Sequence, residues 1–174
     1  MILKMADPQF VPIESYPERI PLDITNVISK YTRDKVVCDL GCGAGDLLEF
    51  LKVTNLCKDV VGVESSARDT RSRDYIIHSD MFSIPIPEAD VYTLWLGASF
   101  PYSKIFDQLK SDKTIIYMDG RELNQDNFGR NKGIHLIEST SYSYDESVYS
   151  KIPVRSPWTT KGERIVKIYE YRCD

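Results

Sequence analysis

What this chain of 174 residues has little of narrows its class before any motif is read. Cysteine is sparse, and Cys38, Cys42, Cys57 and Cys173 form no C-x-x-C and no repeated spacing, which argues against a zinc site or a disulfide framework and makes a reducing cytoplasm the simplest home. Positive charge is not in excess: 22 Lys and Arg stand against 26 Asp and Glu, a formal net charge of −4. Proteins that live on phosphate contacts carry a basic face, so nucleic acid is demoted as a partner. No apolar run approaches the roughly 20 residues of a membrane span, and Met1–Pro8 lacks the apolar stretch of a signal peptide, so neither secretion nor membrane insertion is expected. There is no internal repeat, low-complexity tract or long linker.

What is present is the composition of one globular domain, 42% hydrophobic and 28% charged. Such a length buries about 70% of the surface its unfolded form exposes, so the core needs no metal or disulfide staple.

The opening, to residue 21, is proline-rich and reads as an extended lead-in. Residues 22–119 read as a core of alternating helices and strands. Helical patterns fall at Ile24–Tyr31, Asp46–Val53, Ser66–Ser72 and Tyr102–Lys110. Apolar runs of strand length fall at Val36–Cys38, Val60–Val63, Tyr75–Ile77, Val91–Leu96 and Thr114–Met118. Runs apolar on both faces, alternating with helices, are what a parallel sheet covered on both sides requires, and a doubly wound α/β domain follows. Residues 120–174 differ: Ile134–Ser139 and Ile165–Tyr171 suit an antiparallel pair closing the sheet, joined by a long excursion over Tyr142–Trp158 on the substrate side.

The segment Val36-Val-Cys-Asp-Leu-Gly-Cys-Gly-Ala-Gly-Asp46 is a buried strand ending in an acid, then a glycine turn opening a helix. In an open parallel sheet this is the usual seat of a nucleotide-type ligand, and Gly41, Gly43 and Gly45 allow close approach to the backbone. A dinucleotide fingerprint, G-x-G-x-x-G/A, fails at its sixth position, Asp46. Asp39 would also lie near a pyrophosphate, where like unit charges 4 Å apart repel by about 4 kcal/mol at an effective dielectric of 20. A cationic, amino-bearing ligand suits that acid better.

Asp39-Leu-Gly-Cys-Gly-Ala-Gly45 resembles the first motif of the class I S-adenosylmethionine-dependent methyltransferases, an acid followed by L-G-x-G-x-G. The resemblance implies a Rossmann-like, doubly wound and mostly parallel sheet with a C-terminal antiparallel strand pair, and S-adenosylmethionine as cofactor, left as S-adenosylhomocysteine. It implies that Asp39, Gly41, Cys42, Gly43 and Gly45 hold the methionine part. Glu64, with Ser65 beside it, would take both ribose hydroxyls; a carboxylate offers each a charged acceptor. Asp80 would meet the adenine amino group, with Met81 and Leu96 as further cofactor contacts. A weaker resemblance to the small archaeal protein-lysine methyltransferases rests on size and on the lead-in Phe10-Val-Pro-Ile-Glu14.

After the fourth strand, Leu96-Gly-Ala-Ser-Phe-Pro-Tyr102 keeps only part of an amino-methylating loop, so Gly97, Phe100 and Tyr102 are substrate-side candidates; the simpler reading makes Pro101 the first residue of a helix and Phe100 and Tyr102 packing. His78 and His135 are read as structural, Arg68–Asp74 as a solvated helix face, and Cys38 as a small core residue. A general base is not identified; Asp119 and Glu122 are the acids placed to serve. Residues 151–174 carry six bases against three acids, with aromatics before them, a pattern that suits an amphipathic hairpin or a partner surface. The expected activity is methyl transfer to a nucleophile, foremost a protein side chain such as lysine. The alternatives are RNA or DNA methylation and a non-catalytic partner subunit of the same fold.

Overall fold

A computed structural model describes residues 10–11, 20–43, 45–65, 73–94, 101–119, 133–145 and 161–173. Two short strands in the lead-in, β1 (Phe10–Val11) and β2 (Ile20–Pro21), pair antiparallel. Then follow α1 (Leu22–Thr32), β3 (Val36–Leu40), α2 (Asp46–Val53), β4 (Asp59–Glu64), β5 (Ile76–His78) and β6 (Val91–Leu94). The order closes with α3 (Tyr102–Phe106), β7 (Lys113–Asp119), β8 (Ile134–Asp145) and β9 (Lys161–Tyr171).

Seven strands form one sheet in the order β5-β4-β3-β6-β7-β9-β8. The first five are mutually parallel, and β9 runs antiparallel to both β7 and β8. The order reverses direction at β3: the chain steps outward through β4 to β5, then crosses back to β6. That switch point opens a crevice at the carboxyl ends of β3 and β6.

Side chains alternate along each strand, so one strand feeds two cores. On one face Ile28 of α1 and Leu47, Leu48 and Leu51 of α2 pack over Val37, Val60, Val91, Ile116 and Ile168. On the other, Ile105, Phe106 and Leu109 pack over Leu40, Val63, Leu94, Ile115 and Tyr169. Each fully buried aliphatic or aromatic side chain is worth about 1.5–3 kcal/mol, so these layers hold the sheet without covalent help.

The expected α2 matches the observed bounds because both ends are set by backbone chemistry. Gly45 sits at φ 80 as N-cap, a left-handed geometry glycine adopts without strain. At the other end Asn55 takes φ 55, Leu56 donates to the Leu51 carbonyl and Asn55 to that of Lys52, the crossed pair of bonds that stops a helix.

Two expectations are corrected. The helix expected over Tyr102–Lys110 ends at Phe106, because Gln108 and Leu109 bond three residues back, to Ile105 and Phe106, in a tighter turn. Leu109 stays buried, so the apolar spacing outlasts the helix. The excursion expected from Tyr142 begins later, since β8 runs to Asp145 and β9 begins at Lys161. The expected helix at Ser66–Ser72 lies outside the described residues apart from its neighbours.

Candidate functional site

Parallel register brings the three acids of the motif to one edge of the sheet. Asp39 pairs with Gly62 on β4 and with Thr93 on β6, while Glu64 pairs with His78 on β5. Asp80 follows two residues after His78, so the carboxyl ends of β3, β4 and β5 each carry or precede one acid.

Asp39 is buried beneath the glycine turn. Its Oδ1 has no hydrogen-bond partner among the described residues, and neither has Oγ1 of buried Thr93 opposite. Burial pushes the Asp39 carboxyl up from its ordinary 3.8 to about 7, with the Glu64 charge adding to the rise and the Thr93 hydroxyl pulling it part of the way back. The hydroxyl lies close enough to favour the charged form but outside hydrogen-bond geometry, a neighbour rather than a bonded partner.

The turn itself is fastened to β4. The amides of Gly41 and Cys42 both donate to the Val63 carbonyl, at 2.8 and 3.1 Å, and that of Gly43 donates to Glu64 Oε2 at 2.7 Å. Gly45 donates to the Cys42 carbonyl at 3.0 Å. All three glycines have positive φ. A Cβ on Gly45 would come within 2.9 Å of Ile76 Cδ1, and one on Gly62 within 2.6 Å of Cys42 Sγ, so both positions need the missing side chain for space. Cys42 therefore turns its thiol into the core and faces the site with backbone alone; burial pushes its thiol up, with Asp39 and Glu64 adding to the rise, and burial with Asp39 beside it pushes that of Cys38 up as well.

These bonds decide what kind of ligand the turn suits. A glycine loop that cradles phosphate aims its N–H groups at the anion. Here four of them are already engaged within the protein, and two carboxylates flank them. A pyrophosphate on the turn would find the amides of Gly41, Cys42, Gly43 and Gly45 already taken and two acids beside it, whereas a cationic amine finds a buried acceptor.

Glu64 is half-buried at the end of β4 and has one oxygen on Gly43. Ser65 beside it is exposed. Asp80 is exposed in the turn after β5, where its Oδ1 accepts from the Phe82 amide at 2.9 Å and closes the turn. Met81 is half-buried against the second core. His78 and His135, read from the sequence as structural, are both exposed on strands.

Leu96, Gly97 and Phe100 lie outside the described residues, as do Glu122 and the side chains of Tyr102 and Asp119. Pro101 caps α3 just ahead of its first residue, close to the helix-start role expected of it. Thr93 was invisible to sequence reasoning as a site residue; it is one threonine inside a strand of apolar and aromatic residues, and only the register sets it beside Asp39.

No protein-family model matches the chain, and no curated protein matches it. Solved structures do. A candidate methyltransferase from Bacillus halodurans C-125 superposes with a TM-score of 0.60 at 13% identity, covering 87% of this chain and 99% of that one. A candidate RNA methyltransferase from Pyrococcus horikoshii gives 0.54 at 13% identity, over 87% and 80%. A mutant of MtNAS in complex with S-adenosylmethionine gives 0.56 at 15% identity, over 88% of this chain but 60% of that one.

The chain shares the Rossmann-like fold of these structures.

The expected fold class, a mostly parallel doubly wound sheet with a C-terminal antiparallel pair, is thus borne out. The finer resemblance to archaeal protein-lysine methyltransferases finds no support among these neighbours. Among the described residues no group of His, Cys, Asp and Glu could hold a metal ion, and no helix is long and apolar enough to cross a membrane.

Proposed function

We propose that the chain binds S-adenosylmethionine over the carboxyl ends of β3, β4 and β5 and serves as a methyltransferase. The observation that carries this reading is the buried Asp39 carboxylate, with one oxygen unpartnered among the described residues, under a glycine turn whose amides at Gly41, Cys42, Gly43 and Gly45 are spent. That arrangement fits an amino-bearing, cationic ligand. The neighbour solved with S-adenosylmethionine on the same fold supports the choice.

Bound there, the cofactor supplies a methyl group made electrophilic by its sulfonium. Asp39 accepts from the cofactor's ammonium. Glu64 accepts from the ribose hydroxyls with the capacity left after its bond to Gly43; a carboxylate has about four acceptor sites, so one amide does not exhaust it. Asp80 and Met81 serve the adenine, the first by polarity and the second by apolar cover. The glycine turn holds the ligand's reacting end in one place, and alignment of that kind lowers a barrier by several kcal/mol.

The acceptor we favour is a protein side chain such as lysine, supported by the net charge of −4. RNA is the second reading, favoured by the Pyrococcus neighbour and by the six bases of residues 151–172. Of those bases, Arg172 is paired with Glu170 at 2.8 Å, which weakens it as a phosphate contact.

Incubation with methyl-labelled cofactor and cell extract, followed by protease or nuclease digestion, separates these. Label released by protease is the expected result; label released by nuclease moves the acceptor to nucleic acid. No label, with S-adenosylhomocysteine binding intact, reduces the chain to a cofactor-binding partner subunit.

A further inference from the structure

We propose that Thr93 is a positioning residue for Asp39, and that the two side chains form one buried pair that takes up the ligand's ammonium in exchange for a proton held on Asp39. This rests on the cofactor reading above and deepens it.

The two residues are direct register partners on adjacent parallel strands. They share the face that carries Val37 and Val91, beneath the glycine turn. Both are buried, and Asp39 Oδ1 and Thr93 Oγ1 are the buried side-chain oxygens without a hydrogen-bond partner among the described residues. Two such atoms side by side at the ligand end of a sheet are unusual, because a buried polar group without a partner costs about 1–3 kcal/mol.

A threonine hydroxyl both donates and accepts, so it follows the state of its neighbour. It accepts from a protonated carboxyl and donates to an ionised one. Among the described residues the titratable groups beside Asp39 are Glu64 from β4 and Cys42 from the turn, with Thr93 opposite on β6 and Cys38, its chain neighbour, turned to the other face. Of these Glu64 is an acid and none is a cation. Arg73 reaches toward Gly45, where a Cβ would lie 3.4 Å from its Nη1, but it shares its interactions with Tyr75.

The free protein therefore keeps the Asp39 carboxyl neutral up to about pH 7, and a cation brought beside it restores the charged form. The exchange balances: the ammonium keeps its three protons, one N–H donates to Asp39, the carboxyl O–H proton passes to solvent, and nothing is oxidised or reduced.

Calorimetric titration of the whole chain with S-adenosylhomocysteine, in buffers of different ionisation heat between about pH 5.5 and 7.5, reads this directly. Affinity should rise with pH, approaching tenfold per unit at the acid end, with up to one proton released there. 5′-Methylthioadenosine, which lacks the amine, should bind without that slope. Thr93→Val should move the midpoint upward, because the hydroxyl that favours the charged form is gone, and Thr93→Ser should keep it. Carbon-13 titration of the Asp39 carboxyl in the free protein gives a readout independent of any ligand. Titration in the ordinary carboxylate range, or a midpoint indifferent to Thr93→Val and Thr93→Ser alike, overturns the pair. Binding of S-adenosylhomocysteine with no pH slope overturns the exchange and leaves the cofactor reading standing. Absence of binding at every pH overturns the cofactor reading, and with it the ammonium as the group exchanged.

Discussion

Two buried ionisable side chains sit at opposite ends of the same sheet. Lys113 opens β7 at the far end from the glycine turn, and its ammonium is held by the Glu88 carboxylate and the Ala89 carbonyl. Nearby, the Tyr92 hydroxyl donates to the Pro87 carbonyl and accepts from the Ala89 amide, so the 87–89 segment is tied to the sheet by several bonds. Asp39, at the ligand end, is at least as deeply buried but leaves Oδ1 without a partner among the described residues. The chain folds around Lys113 as a finished structural joint, whereas around Asp39 it leaves a buried oxygen unsatisfied among the described residues, the place where the proposed ligand would bring a counterion. A buried charge alone does not mark a site; incomplete satisfaction of that charge does.

The comparison breaks most visibly on pH. Asp39 holds its proton more tightly folded than unfolded, so the folded state is penalised as pH rises: the penalty is absent below the unfolded value near 4 and complete above about 7. Asp39→Asn, neutral throughout, should match the parent near pH 4 and exceed its stability by up to about 4 kcal/mol at pH 8.5, taking about 1.4 kcal/mol per unit. Urea melts across that range test it, and a variant less stable than the parent at pH 8.5 would show Asp39 to be a structural group like Lys113. Lys113→Ala should do the opposite. Losing the buried ammonium leaves the Ala89 carbonyl without its donor while Glu88 stays in water, so the loss should be about 1–3 kcal/mol. The melting temperature should fall by roughly 2–12 °C, while affinity for S-adenosylhomocysteine at saturable temperatures stays that of the parent.

At the ligand end, Glu64→Ala should weaken S-adenosylhomocysteine binding roughly tenfold to a hundredfold, since hydrogen bonds to charged groups are worth about 1.5–3 kcal/mol. It should also lower stability by about 1 kcal/mol, because the Gly43 amide loses its acceptor. Parent-like binding in calorimetry would remove the ribose role. The smallest effect is expected at Asp80→Ala, less than tenfold in the same titration, because that side chain already serves the Phe82 amide and water can meet an adenine amino hydrogen. Equal losses at Glu64 and Asp80 would invert the ranking of the two contacts.

Legibility in the sequence followed the range of the interactions. The turn at Gly41–Gly45 and the helix after it are local, and glycine chemistry made both readable, as did the strand-ending acids. The Tyr142–Asp145 end of β8 was read as excursion because Tyr-Ser-Tyr-Asp alternates polar with aromatic rather than polar with aliphatic, yet period-2 spacing was there to be seen. Leu109 misplaced the end of α3 since a tight turn can bury a residue as well as a helix does. Thr93 could not be found at all: its meaning lies in a pairing between β3 and β6, separated by more than fifty residues, and no local pattern encodes register.

The placement of β9 carries a consequence in time. The last of the described strands in sequence is not the last in the sheet; it is threaded between β7 and β8, with Ile115 facing Tyr169 and Glu138 facing Ile168. During synthesis β7 emerges and waits with an open edge, and β8 follows with no strand to join, because its partner among the described residues is made last. The nascent chain therefore exposes two unpaired strand edges until residue 171 has cleared the ribosome, the interval in which edge-to-edge association competes with folding. Slowing translation between Asp145 and Tyr171 should prolong that exposure and raise the share of chains that aggregate before the sheet closes.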